Sequence, residues 1–256
     1  MAATITTIGL TDAVVKKLKG VKFDIFTNGF ANAKIAKSNK SGKGIFTIIL
    51  HFAPADNSGY EVCPMASAGC RAACLYTAGR GAMCNVKQAR IDRTTQWFTD
   101  REACKARIVA DIVKLRKVCA KYGLEPAVRL NGTSDIRFEK VWPALFAQFP
   151  MVQFYDYTKD TGRLDWSYYL PTNLHLTFSR SESNDSVCLQ LLEAKRANVA
   201  VVFHSKDLPA TWNGYPVYNG DETDLRYLDE YQGGAVCGLY AKGAARKDNS
   251  GFVVLA

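Results

Sequence analysis

AVRLNGTSDIRFEKVWPALFAQFPMVQFYDYTK, residues 127–159, is the stretch that decides the fold. Both of its ends alternate apolar and polar residues with the period of two that belongs to a strand, and residues 138–148 between them read as a helix. Strand, helix, strand with short connections is the repeating unit of a parallel α/β sheet.

The same alternation continues outward from this unit. LHLTFS (174–179), VAVVFH (199–204), YPVYNG (215–220) and AVCGLYAKG (235–243) read as further strands. Helices are expected over 187–197, briefly around 163–169 and again near 223–230. Upstream, an amphipathic helix over 12–18 precedes the strand KFDIFTNG (22–29), and IFTIILHF (45–52) is a second β-rich run. Residues 86–122 read as helical with a restart at Thr99, where Thr-Asp-Arg-Glu has the form of a capping box. Trp97, Cys104, Ile108, Ile112, Leu115, Cys119 and Tyr122 recur there at helical spacing, which assigns Cys104 and Cys119 to a buried stripe. About eight strands alternating with helices predict a single α/β domain over residues 1–256. A (β/α) barrel, complete or modified, fits better than an open doubly wound sheet. Residues 1–44 form an N-terminal helix and hairpin extension to it.

Strand parity adds functional content. Arg129 and Asn131, then Gln153, Tyr155 and Tyr157, then His175, Thr177 and Ser179 share one face; Val128, Leu130, Phe154, Leu174, Leu176 and Phe178 share the other. In a barrel the apolar face meets the outer helices, so the polar face is expected to line a wet or ligand-filled interior. Half-exposed antiparallel strands are the alternative reading of the same parity.

Between the second β-rich run and the long helical region lies VCPMASAGCRAACLYTAGRGAMC, residues 62–84, with four of the chain's eight cysteines: Cys63, Cys70, Cys74 and Cys84. Nothing at the N-terminus resembles a secretory leader, and no apolar run is long enough to span a bilayer, so a cytoplasmic protein with reduced thiols is expected. Clustered thiolates in that compartment read as ligands of one metal centre, and the Gly, Ala and Ser between them let backbone wrap closely around it. The spacing Cys-x6-Cys-x3-Cys-x9-Cys lacks the paired short knuckles of structural zinc sites. A cubane [4Fe–4S] cluster accepts wider, irregular spacing, and Pro64 directly after Cys63 matches the Cys-Pro step of bacterial ferredoxins. Iron–sulfur is therefore the leading expectation and zinc the alternative metal. Cys237, flanked by glycines in a terminal strand, competes with Cys84 as fourth ligand, whereas Cys188 sits on an apolar helical face and reads as core. With only three cysteine ligands, one iron would stay open to a small ligand or substrate.

The blocks CPMASAGCRAACLYTAGRG (63–81), RLNGTSD (129–135), QFYDYTK (153–159), LTFSRSESN (176–184), NGDETDLRYLD (219–229) and GLYAKG (238–243), in this order, resemble a family of uncharacterised bacteriophage proteins. More distantly, a strand, a three-cysteine loop, a helix and then βα units resemble the radical S-adenosylmethionine enzymes. That likeness implies a [4Fe–4S] cluster at the mouth of a barrel and S-adenosylmethionine as a cofactor. The chain departs from their Cys-x3-Cys-x2-Cys pattern by carrying Thr77 where the third cysteine would stand, and Asn131-Gly132-Thr133 replaces the usual Gly-Gly-Glu.

Chemistry in α/β barrels gathers where strands end and loops begin. Those positions hold Asn131 and Asp135; Asp156 and Lys159; Ser179, Arg180 and Glu182; His204 and Lys206; and Asp221 and Asp224. His204, Lys159, Arg180, Glu182 and Asp135 are the catalytic candidates, His204 first because it closes an apolar strand and has an imidazole's buffering range. Arg129, Asn131, Tyr155 and Ser179 are the cofactor-binding candidates, and Arg129, Arg180 and Lys159 suit an anionic substrate. His51, shortly before Cys63, is placed to approach the metal. The net charge of +9 permits nucleic acid as a partner, but its local cluster, Lys34, Lys37, Lys40 and Lys43, reads more simply as a solvated hairpin loop. The leading expectation is redox or radical chemistry on a small or nucleotide-like molecule. The alternative is a non-catalytic, metal-stabilised protein that binds nucleic acid or a host protein.

Overall fold

The structure is a computed structural model that describes residues 10–31 and 44–255. Lys34, Lys37, Lys40 and Lys43 lie outside the described residues. Strands β1 (Phe26–Asn28), β2 (Ile45–Leu50), β3 (Glu125–Arg129), β4 (Gln153–Thr158), β5 (Leu174–Ser179), β6 (Val199–Phe203), β7 (Thr211–Trp212), β8 (Tyr215–Asn219) and β9 (Val236–Tyr240) form one sheet in the order β1-β2-β3-β4-β5-β6-β9-β8-β7. From β2 to β8 all neighbours are parallel, and only the two edges, β1 on β2 and β7 on β8, are antiparallel. The fold is thus mixed α/β with a mostly parallel sheet, as the alternating pattern predicts. It is not closed: among the described residues no ladder joins β1 to β7. The β7–β8 edge is a two-residue hairpin whose Asn213 and Gly214 both have positive φ, 47° and 84°, the turn that suits strand twist.

Among the described residues, seven α-helices accompany the sheet: α1 (Asp12–Lys19), α2 (Ala68–Ala72), α3 (Cys84–Thr99), α4 (Arg101–Tyr122), α5 (Phe138–Val141), α6 (Ala144–Gln148) and α7 (Asp185–Glu193). The break between α3 and α4 comes one residue later than the capping-box reading: Asp100, not Thr99, is the cap, and its carboxylate accepts the Ala103 N–H at 3.2 Å. Cys104, Ile108, Ile112, Leu115 and Cys119 are buried along α4 as its periodicity requires. The helix expected over 138–148 is split at Trp142-Pro143, since Pro143 has no N–H to give and its ring disfavours helical backbone at the residue before it. The short helices expected near 163–169 and 223–230 are single 3-10 turns, Thr161–Arg163 and Arg226–Leu228.

Val128, Leu130, Phe154, Leu174, Leu176 and Phe178 join the helices in the main core, as parity predicts. The opposite face departs from the wet interior expected of it. A wedge of chain between β8 and β9 lies across that face. Its Leu225, Tyr227 and Leu228 pack with Ile45 of β2, Ala127 of β3 and Tyr155 of β4, while Arg226 donates to Cys237 Sγ on β9 at 2.6 Å. Tyr155 is fully buried there against Thr47, with their hydroxyls 3.0 Å apart, so it is a packing residue of the filled face.

Candidate metal centre

Because β2 to β8 are parallel, their C-terminal ends share one edge of the sheet, the edge where α/β proteins place their chemistry. The cysteine loop leaves β2 and lies along this edge, fastened at several points. Asp135, in the loop after β3, donates its N–H to Val62 O at 2.7 Å, and Cys63 Sγ reaches Thr133 O at 3.7 Å. Glu182, after β5, accepts Ser67 Oγ at 2.6 Å and the Gly69 N–H at 2.7 Å. Ser67 in turn caps α2 by accepting the Cys70 N–H. Thr77 Oγ1 accepts the Ala244 N–H at 3.2 Å, and Ala73 packs with Ala241, Ala245, Phe252 and Val253. Glu182 is therefore a clamp on the loop.

Cys63, Cys70 and Cys74 lie within electrostatic range of one another. Burial pushes the Cys63 thiol up to about 12; the Ala55 N–H opposes this, and Cys74, Asp135 and Cys70 add repulsion. Cys74 is raised by burial and by Cys70, and lowered by its bond from the Tyr76 N–H and by the cations Arg90 and Lys159. Each thiol therefore feels the others' charge, and two cations stand beside Cys74. Cys84 is exposed at the first position of α3 and is not among the groups that act on Cys63 or Cys74. Cys237 is buried on β9 with Arg226 at its sulfur, and Cys104, Cys119 and Cys188 are core. Among the described residues, no three His, Cys, Asp or Glu side chains converge tightly enough to hold a single metal ion.

The strand-end residues divide into struts and free groups. Asp135 accepts from Arg163 Nη1 at 2.9 Å, the Lys159 N–H at 2.8 Å and Thr158 Oγ1 at 3.1 Å, which ties the β3 and β4 loops together. Arg163 is fully buried and holds Glu139 with both nitrogens of its fork, at 2.8 and 2.9 Å. Arg180 is bound to Asp185 and to the carbonyls of Gly251 and Phe252, an anchor for the C-terminal segment. Arg129 pairs with Asp224 at 3.1 Å. Lys159 Nζ donates to Ser179 Oγ at 2.7 Å and lies 5.4 Å from the Phe252 ring centre. His204 is exposed at the end of β6, where its N–H bonds Val254 O.

Asp156 shows why the strand ends open here. The β3–β4 ladder runs only through Ala127↔Gln153 and Val128↔Phe154; beyond it, the Asp156 carboxylate takes the Asn131 N–H at 2.8 Å and the Asn131 side-chain amide at 3.0 Å. A side chain thus replaces a ladder bond, and Asn131 is held as part of the β3–β4 junction. Burial raises Asp156 to about 7, against the pull of Arg129 and Arg163. Sequence position alone could place Asp156 at a strand end, but its burial depends on both neighbouring strands.

Several buried polar atoms have no hydrogen-bond partner: His51 Nδ1, Arg90 Nε and Nη1, Arg129 Nε, Tyr157 OH, Thr177 Oγ1 and Arg226 Nε. Arg90 was not singled out by sequence, because a lone arginine on a helix reads as solvated. No described helix is long and apolar enough to cross a membrane. No curated protein and no solved structure matches the chain. A family model described as Gene product 88 matches residues 25–256, the span that contains every phage-like sequence block, and the chain belongs to that bacteriophage protein family.

Proposed function

We propose that the protein holds a [4Fe–4S] cluster on Cys63, Cys70 and Cys74 and performs redox or radical chemistry on a small or nucleotide-like molecule in the host cytoplasm. The observation that carries this reading is the gathering of three thiols, each within electrostatic reach of the others, at the C-terminal edge of a parallel sheet with Arg90 and Lys159 beside Cys74. Cations favour thiolates and offset the negative charge of a thiolate-bound cluster. A cubane spreads its ligands over a wider span than a single tetrahedral ion, which suits thiols that do not converge on one point. Three cysteine ligands leave one iron open, and Lys159 with Ser179 stand at the same edge to meet what binds there. The likeness to radical S-adenosylmethionine enzymes makes that molecule the first ligand to try.

A barrel-like curvature of the sheet belongs to this reading. In a flat sheet, β2 and β9 would lie five strand spacings apart, roughly 24 Å. Yet Leu225 belongs to the cluster that includes Ile45 of β2, while Arg226, the next residue, bonds Cys237 of β9. Neighbouring residues serving strands this far apart in the order support a sheet that rolls around them.

Purification without oxygen, with assays for iron and acid-labile sulfide and with visible and electron paramagnetic resonance spectra, tests the proposal. About four irons and four sulfides per chain are expected. A colourless, iron-free protein that retains zinc would overturn it, and salt-dependent nucleic-acid binding that survives loss of the three cysteines would favour the non-catalytic alternative.

A further inference from the structure

We infer that Arg90 is the anchor of an oxyanion site beside the cysteine loop, built to take the phosphate or carboxylate group of a small molecule. That this group belongs to a substrate rests on the reading of the loop given above; that the group binds does not.

The first observation is a buried guanidinium with no carboxylate or hydrogen-bonded acceptor on two of its nitrogens. Arg90 is 7% exposed, and its Nε and Nη1 have no partner. The other deeply buried arginines are all paired: Arg163 with Glu139 and Asp135, Arg180 with Asp185, and Arg226 with Asp229. Around Arg90 the groups of opposite sign are Cys74 and Tyr76, and no carboxylate is among them. Burying a guanidinium without an acceptor is strongly unfavourable, so a fold that keeps one in place has a reason beyond packing.

The second observation is that other buried nitrogen groups lie around Arg90. Helix α3 is fixed to the segment between β2 and the cysteines: Arg93 Nη1 donates to His51 O at 3.2 Å, and the Ala53 N–H donates to Thr94 Oγ1 at 2.9 Å. Arg90 lies one turn before Thr94 on the same buried stripe. His51 Nδ1 is buried and unpartnered, its ring packed against Gly132 so closely that a Cβ there would fall 2.5 Å from that nitrogen. Arg129, paired with Ile49 across the β2–β3 ladder, has an Nε without a hydrogen bond, 4.0 Å from the Asp156 carboxylate. Arg90, Arg129 and Arg93 all act on His51, opposed by the Asp224 carboxylate that Arg129 binds.

The third is shape. The Arg90 guanidinium sits 5.8 Å from the centre of the Tyr76 ring and leans on Gly81, where a Cβ would lie 3.3 Å from Nη2. Ring and glycine flank the fork, and its Nε and Nη1 are left without an acceptor. A planar fork of this kind matches two oxygens of one phosphate or carboxylate.

The test reads thermal melting of the full-length, iron-free protein in chloride buffer while inorganic phosphate or malonate is added. Failure to bind iron and failure to bind an anion are then separate results. Saturable stabilisation by at least one anion is expected, and the stronger one names the chemistry. Arg90→Gln should melt higher than wild type in chloride alone, because the unpaired charge is gone, and should raise the half-saturating concentration about tenfold or more. Arg90→Lys, which keeps the charge without the fork, should also bind more weakly than wild type. The inference is overturned if neither anion stabilises the wild type, if Arg90→Gln responds as wild type does, or if Arg90→Gln melts lower in chloride alone. Should Arg90→Gln fail to fold, Arg90→Lys with wild-type half-saturation would overturn it equally.

Discussion

At the scale of single residues, the chemistry turns on which groups burial has displaced from their ordinary protonation. Asp156, raised to about 7, holds its proton more tightly folded than unfolded, so its contribution to stability is largest below about 4 and is lost as pH rises toward 7. His51 and His175 oppose it. Burial lowers them to about 3 and about 4, so their contributions grow as pH rises from those values through 6.5. Asp156→Asn should therefore leave a protein whose urea midpoint climbs between pH 4 and 6.5, and its stability relative to wild type should improve by up to about 4 kcal/mol between pH 4 and 8. Equal pH slopes for the two proteins would refute the displaced carboxyl. For the thiols, Cys63→Ser, Cys70→Ser or Cys74→Ser should each abolish most bound iron, while Cys84→Ser should keep it, since Cys84 stands exposed at the start of α3. Iron per chain by colorimetric assay decides this. The three-cysteine set is proposed from spacing and composition, and iron binding by the variants is what tests it. Asp156 and Arg90 were less legible in the sequence, because their surroundings come from strands and helices far apart in the chain.

At the scale of elements, the structure relies on single side chains that serve several backbone groups. Asp111 of α4 accepts the N–H groups of Asp24, Ile25 and Phe26 at 3.0, 2.8 and 3.2 Å and so carries the start of β1. Asp111→Ala should destabilise the protein by about 3 kcal/mol, measured by urea denaturation, as the buried donors lose a charged acceptor. Glu182 does the same for the cysteine loop through Ser67 and Gly69. Glu182→Ala should lower iron retention under a chelator challenge with a melting temperature within a few degrees of wild type, because the loop contributes little to the main core. Glu182 was expected to act in catalysis, and the geometry shows it holding the loop. Strand and helix identities were readable because their periodicity is local. The Asp100 cap and the break at Trp142-Pro143 were not, since each is settled by a backbone turn that alternation does not encode.

At the scale of the whole molecule, the parity of β3, β4 and β5 separated the two faces correctly, yet it could not say what covers the polar one. The cover is the sequence after Asn219, polar enough to read as a surface loop, whose Leu225 and Arg226 are nonetheless fully buried. Buried arginines escape composition rules because their acceptors arrive from elsewhere in the fold. Leu225→Ala should cost about 2–4 kcal/mol in urea denaturation, since it empties the contact between the wedge, β2, β3 and β4. The fastening of the cysteine loop carries a consequence for the order of assembly. Hydrogen bonds from the loops after β3 and β5 already position the loop on a sheet whose core includes none of Cys70, Cys74 or Cys84 as buried members. On the cluster reading proposed above, and unlike a zinc finger, which collapses only around its ion, this chain would reach its shape first and be loaded afterwards. An infected cell's own cluster-delivery machinery would then meet a finished receptacle rather than a nascent chain.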